Sequence, residues 1–294
     1  MCVLKKINKN LPIIKPSYAS RSEVRLLGRT EAFSKYLMYY PTFLGFMDVN
    51  EFFGKNAAKY AKSESHAKGE DLSILIKQLP VDKNASALDV ATGTGFTSLA
   101  LSNQVGVVTA LDRTVEMLQE AKSLFEREGR KNVVFVKGDV SDMPFLDQTF
   151  DIVTCRRAAH HFHNKIQFLT EVKRVLRKDG YFGLVDMVSP ENDDMDIFNN
   201  LERIRDHSHA SAGTAKFWKG AVEGMGMRVL FAEVYPETVS FDKWLYPVTK
   251  NSEDGESCMR YLEQNSNRFK DLINYDGGSF TKSRMVLVAK KVES

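Results

Sequence analysis

Short apolar runs alternate along this chain with longer stretches in which apolar residues recur every three or four positions. Runs at 87–90, 107–111, 133–136 and 181–187, and another opening segment 150–162, have the length and β-branched content of buried strands. Ahead of 181–187, Phe168, Leu169, Val172, Val175 and Leu176 recur at helical spacing, with Glu171, Lys173, Arg174 and Arg177 facing outward. Asp179-Gly180 is the expected stop of that helix. Upstream, residues 51–80 predict two helices broken at Gly69. Downstream come an acidic loop, a helix through about Arg205, a second helix at 214–224, a strand near 227–234 and an alternating last strand at 283–291. Residues 236–280 are longer than a hairpin needs, and with Trp244, Tyr246, Tyr261 and Phe269 they predict a helical cover over a substrate. The whole pattern predicts an α/β, doubly wound sheet over residues 51–294, behind an extension at 1–50.

The chemistry concentrates where the first run meets a glycine turn, ALDVATGTGF at 87–96. Glycine there lets the backbone approach a ligand and adopt positive φ. Asp112 ends the second run, about 20 residues on, where an acid in such a sheet receives the hydroxyls of a ribose. A dinucleotide fingerprint would want a third glycine, but position 98 is Ser, and no Gly-Lys-Ser/Thr run is present for a nucleoside triphosphate. Asp89, inside the strand before the turn, would repel a pyrophosphate and would favour the ammonium or sulfonium of S-adenosylmethionine.

On these residues the chain resembles the class I S-adenosylmethionine-dependent methyltransferases. The stretches NVVFVKGDV, TCRRAAHHF and FLTEVKRVLRKDGYFGLVDM extend the likeness to the small-molecule branch related to the ubiquinone and menaquinone C-methyltransferases, well over about residues 52–190 and loosely elsewhere. The resemblance implies a seven-stranded Rossmann-like sheet of order 3-2-1-4-5-7-6 with the last strand antiparallel, S-adenosyl-L-methionine as cofactor and a small-molecule methyl acceptor. It implies a glycine loop facing the methionine part, Asp112 on the ribose and Asp139 near the adenine amino group. The implied cofactor contacts are Tyr60, Asp89, Ala91, Thr92, Gly93, Thr94, Gly95, Asp112, Arg113, Met117, Gly138, Asp139, Val140 and Arg156. A cation over the Tyr60 ring would gain about 0.5–2 kcal/mol. The quinone enzymes carry an Asn-rich segment after strand four where this chain has Arg156 to His161, which counts against a quinone acceptor.

The sulfonium carries the activation, so a base is needed only where the acceptor must lose a proton. His160, His161 and His163 follow the fourth strand at the carboxyl edge of the sheet, and His160 or His161 is the candidate for that role. His207 and His209 fall on a connecting loop, where substrate contact competes with simple solvation. Arg156 and Arg157 pair with the sheet's own carboxylates or with an acidic substrate. No metal set is expected, because no Cys or carboxylate completes the histidines. The Asn/Asp-Pro-Pro-aromatic box of amino-directed enzymes is absent after strand four.

Composition changes this picture little. A net charge of +3 with mixed signs gives no push toward nucleic acid, and the three cysteines are too far apart in sequence for a metal or disulfide framework. No apolar stretch reaches the roughly 20 residues of a membrane span, so the expected location is cytoplasmic. Residues 1–29 are basic, with no acid before Glu23, and a mitochondrial location follows only if they are a transit segment. Residues 31–46 are aromatic and apolar and are expected to pack on the core, on the substrate mouth or on a second copy in a homo-oligomer. Two other classes share parts of the pattern. A dinucleotide-dependent oxidoreductase is opposed by Asp89 and the missing glycine. A cofactor-binding scaffold or assembly factor without activity is left open by the motifs alone.

Overall fold

A computed structural model describes residues 49–292, so every expectation for residues 1–48 lies outside the described residues. Three helices lead in: α1 (Val49–Tyr60), α2 (Glu64–Lys68) and α3 (Glu70–Gln78). The break expected at Gly69 is present, but the segment before it is split again, giving three helices instead of two, and Val49 and Asn50 belong to α1. The sheet then builds by alternation: β1 (Ser86–Val90), α4 (Phe96–Ser102), β2 (Val107–Asp112), α5 (Val115–Arg127), β3 (Val133–Lys137), β4 (Phe150–Arg156), α6 (Lys165–Val175) and β5 (Leu176–Val188). The last part contains α7 (Ile197–Arg205), α8 (Ala215–Gly224), β6 (Met227–Ser240), α9 (Phe241–Leu245), α10 (Glu253–Gln264), α11 (Ser266–Ile273) and β7 (Ser279–Lys291).

The strands lie in the order β3-β2-β1-β4-β5-β7-β6, as the resemblance implied. Strands β1 to β5 are mutually parallel, and β7 runs antiparallel between β5 and β6. Successive side chains of a strand point to opposite faces, and the core divides accordingly. Ile152, Val185, Val286 and Val288 join Leu75 of α3, Leu79 just after it and Leu101 of α4. Val153, Cys155, Leu184, Met285 and Leu287 join Phe168 and Val172 of α6 and Trp218 of α8. Burial on both faces explains why these strands are continuous apolar runs.

Two local expectations are corrected. Helix α6 stops at Val175, not at Asp179-Gly180, because Leu176 turns extended and buries its side chain. The Arg174 and Val175 carbonyls are taken by the amides of Gln148 and Thr149. Residues 176–180 form an irregular start to β5, with the register passing from Phe150↔Leu176 to Ile152↔Tyr181. Arg177 consequently leaves the helix and grips Asp151 at 2.8 Å through both carboxylate oxygens. Glu171, expected outward, is buried, accepting from the Met143 amide at 2.7 Å and from Arg174.

The stretch expected to form a cover does form helices. Strand β6 runs on to Ser240, paired with Ser279, and α9 to α11 sit between these ends. With α7 they enclose a separate apolar cluster around Phe198, Leu201, Trp244, Leu262, Phe269 and Phe280. No helix among the described residues is long and apolar enough to cross a membrane.

Candidate active site

At the carboxyl edge of the sheet, the turn after β1 is wound tightly. Ala91, Gly93 and Gly95 all have positive φ, at 52°, 54° and 89°. A Cβ on Gly95 would meet the Ala121 Cβ at 2.9 Å, so this glycine seats the turn against α5. A Cβ on Gly93 would meet nothing within 4 Å, so that backbone faces open space. The Gly93 amide donates to Asp112 Oδ2 at 2.8 Å, and the Thr114 amide donates to Oδ1 at 2.9 Å. The Arg113 amide and the Thr114 hydroxyl bind the same carboxylate, which forms part of the cavity wall. Burial raises the Asp112 carboxyl, and the amides that bind it oppose this.

Asp89 departs from the expected ligand contact. It is 1% exposed, accepts from Thr92 Oγ1 at 2.7 Å, Ser98 Oγ at 2.9 Å and Thr154 Oγ1 at 2.8 Å, and does not line the cavity. Its three hydroxyl partners hold it inward, so it braces the glycine turn and strand β4 from behind. Gly95 and Gly138 likewise stand off the wall; a Cβ on Gly138 would strike Leu111 at 2.8 Å and Pro144 at 2.9 Å. Tyr60, Ala91, Thr92, Gly93, Thr94, Asp112, Arg113, Met117, Asp139, Val140 and Arg156 all meet around one cavity of about 460 Å³. Asp139 is bound by the Ser141 amide and hydroxyl at 2.8 and 2.6 Å, with Arg113 at 3.9 Å. The open backbone at Gly93, the carboxylate of Asp112 and the apolar Met117, Val140 and Phe162 suit a nucleoside joined to a charged tail. The volume lies within the roughly 300–1,000 Å³ usual for such ligands.

A second cavity, about 380 Å³, shares Phe53, Tyr60, His66, Arg157 and His161 with the first. His160 lines this second cavity only. Its Nδ1 lies 2.6 Å from Asp186 Oδ1, and its backbone amide donates to Asp186 Oδ2 at 2.7 Å. With a carboxylate as partner, Nδ1 carries the proton and donates, leaving Nε2 as acceptor. The His160 ring and the His160 and Met187 amides hold the buried Asp186 carboxyl below its ordinary range against desolvation. His161 packs beside it, ring centroids 4.0 Å apart, with Nδ1 3.0 Å from the Ser208 carbonyl. Burial and the neighbouring His160 lower the His161 imidazole. Phe53 meets His161 edge-on at 5.0 Å, and Tyr60 meets His66 at 5.4 Å, so α1 and α2 close the junction between the cavities. Burial and nearby arginines push His66 down to about 3, so it is neutral at ordinary pH. Burial and Asp206 push Tyr60 up to about 12.

Arg156 and Arg157 find a protein carboxylate, though one on α3 and not on the sheet. Asp71 accepts from Arg156 at 2.8 Å and from Arg157 at 2.8 and 3.0 Å. His209 is neither solvated nor at a cavity wall; it is 1% exposed and its Nε2 meets Asn199 Oδ1 at 2.8 Å. His207 lies 3.2 Å from Asp254, and exposed His163 lines the first cavity. No group of His, Cys, Asp and Glu among the described residues is arranged to hold a metal. The sequence reading missed Asp186, Asp71 and Arg284. Asp186 had a signal: like Asp112, it is an acid near the carboxyl end of an apolar run. Asp71 and Arg284 had none, because only packing brings them to the site.

The turn, the acid ending β2 and the strand order define a Rossmann-like, nucleoside-binding α/β enzyme. A family model described as "Methyltransferase domain" matches residues 81–265, and the chain belongs to that family. It is 34% identical over 220 residues to the uncharacterised methyltransferase YcgJ of Bacillus subtilis, covering 74% of this chain and 87% of the relative. The crystal structure of YcgJ superposes with a TM-score of 0.71 at 30% identity, covering 76% of this chain and 99% of that one. A demethylmenaquinone methyltransferase of Lactobacillus johnsonii is 32% identical over 158 residues, covering 48% of this chain and 65% of the relative.

Proposed function

We propose that this methyltransferase moves a methyl group from S-adenosylmethionine to a small-molecule acceptor, with His160 as the base that removes the acceptor's proton. The observation carrying this reading is the His160–Asp186 pair, set in a cavity that shares a wall with the nucleoside cavity.

S-adenosylmethionine, when bound, supplies a methyl carbon already activated on a sulfonium. Asp112 would receive the ribose hydroxyls, and Met117, Val140 and Asp139, which line the same cavity, would hold the base. Gly93 leaves room for the amino-acid tail. Phe53, Tyr60 and His161 stand where the cavities join and keep bulk water from the reacting atoms. Nε2 of His160 would take the acceptor's proton, while the sulfonium would supply the methyl group and leave as the neutral thioether. Asp186 steadies the imidazolium that results, as a buried carboxylate does for a catalytic histidine. A soluble cytoplasmic setting without nucleic acid is the simplest one for this reaction.

Calorimetry with S-adenosylhomocysteine on folded protein stripped of metabolites tests the cofactor half. Wild type is expected to bind, and Asp112→Ala to bind roughly 10- to 100-fold more weakly. Absence of heat with the wild type, or an unchanged affinity in the variant, would overturn the assignment.

A further inference from the structure

We infer that the second cavity takes an acceptor bearing a carboxylate, a flat hydroxylated acid whose anionic end is gripped by Arg284 while its hydroxyl faces His160. This rests on the proposed methyl transfer for the role of the hydroxyl, but not for the anion site itself.

The first observation is an excess of positive charge. The wall carries the cations Lys59, Arg157, Arg205, Lys243, Lys282 and Arg284. Against them stand Asp186, which serves His160, Asp206 and the half-exposed Glu237. Carboxylates behind the wall offset this only partly. Glu202 is shared between Arg205 at 2.7 Å and Lys282 at 3.1 Å, and Asp71 between Arg156 and Arg157, each at 2.8 Å.

The second observation is the state of Arg284. Its contacts with Asp71 and Glu237 are 3.7 and 3.8 Å, beyond hydrogen-bond range. Its Nε is buried without a hydrogen-bond partner among the described residues. A guanidinium presents five donors in a planar fork that matches a carboxylate bidentately. Nε faces Asp71 and is closed off from the cavity, so a ligand would meet the guanidinium through its terminal nitrogens, which make no hydrogen bond to Asp71 or Glu237.

The fold puts this fork near the base. Strand β7 runs antiparallel to β5 with Arg284 opposite Met187, so its side chain leaves the sheet on the face away from Asp186, and the two meet at the wall of the second cavity at the carboxyl edge. His160 is anchored to Asp186, so the anion and base sites share that cavity. Between them the wall is aromatic and apolar: Phe53, Tyr60, Met187, Trp244 and Pro247. Such walls favour a flat, unsaturated body between the two polar ends.

The test is calorimetry on the full chain with matched acid and amide probes: 4-hydroxybenzoate, 3,4-dihydroxybenzoate and 4-hydroxycinnamate, each against its amide. Titrations run with and without saturating S-adenosylhomocysteine. At least one acid is expected to bind roughly 10- to 100-fold more tightly than its amide. Arg284→Met should erase that ratio while S-adenosylhomocysteine affinity is kept, and Arg284→Lys should keep part of it. If no acid exceeds its amide in the wild type, the inference is overturned whether or not the variants fold. A folded Arg284→Met that preserves the ratio overturns it as well. Discrimination without any S-adenosylhomocysteine binding would leave the anion site standing and sink the methyl-transfer reading instead.

Discussion

Asp89 and Asp112 are both buried acids beside the glycine turn, yet the structure gives them opposite assignments. Asp112 lines the cavity, whereas Asp89 stands off it and spends its oxygens on Thr92, Ser98 and Thr154. Their strand positions are readable from the sequence; their directions are not, because direction depends on which hydroxyls arrive from α4 and β4. His160 shows the same division. Its place after the fourth strand is legible, but its fitness as a base comes from Asp186, 26 residues further on. Asp186→Asn is therefore expected to lower kcat by about 10²- to 10⁴-fold, the usual worth of general-base assistance, while S-adenosylhomocysteine affinity stays at the wild-type value. Single-turnover methyl transfer with calorimetry in parallel separates the two effects, and an unimpaired rate would remove His160 from the base role.

At the scale of elements, the turn between β1 and α4 joins two requirements in neighbouring glycines. Gly95→Ala would put a methyl 2.9 Å from Ala121 in a backbone at φ 89°, and is expected to cost roughly 1–3 kcal/mol of stability. Gly93→Ala meets no protein atom, so its cost is about 1–2 kcal/mol of left-handed strain, with the larger loss in cofactor affinity. Urea unfolding and S-adenosylhomocysteine titration of both variants check this contrast; equal effects of the two on stability and affinity would contradict it. The helix stop at Val175 shows where local signals mislead. Asp179-Gly180 reads as a helix terminator, but Asp179 instead takes φ 62° in the irregular start of β5. The β4 pairing claims Leu176 before the local stop signal can act, and tertiary pairing of that kind overrides a local preference.

For the whole molecule, Asp71 fastens α3 to β4 through Arg156 and Arg157, with Arg284 of β7 close by. These arginines hold its carboxyl well below the usual range despite burial. The sign of the linkage follows. With a depressed folded pKa, the stability from Asp71 is fully present above its unfolded value of about 3.9 and is lost as pH falls through the folded value. Burial raises Asp89 and Asp112, which act in the opposite direction, so the Asp71 share is isolated by comparison with Asp71→Asn. That variant should lose roughly 3–5 kcal/mol at neutral pH and show a smaller further loss between about pH 4 and pH 2 than wild type. Chemical denaturation across pH measures both, and parallel curves for the two proteins would refute the clasp. The sequence by itself determined the doubly wound sheet, the turn and the acid that ends β2, because strand and helix periodicities and glycine's φ freedom are local properties of a chain. Only the tertiary structure decided which side chains line the second cavity. The antiparallel β7 brings Arg284, nearly 100 residues beyond Asp186, to the wall of the same cavity, and no local pattern encodes which strand lies next to which.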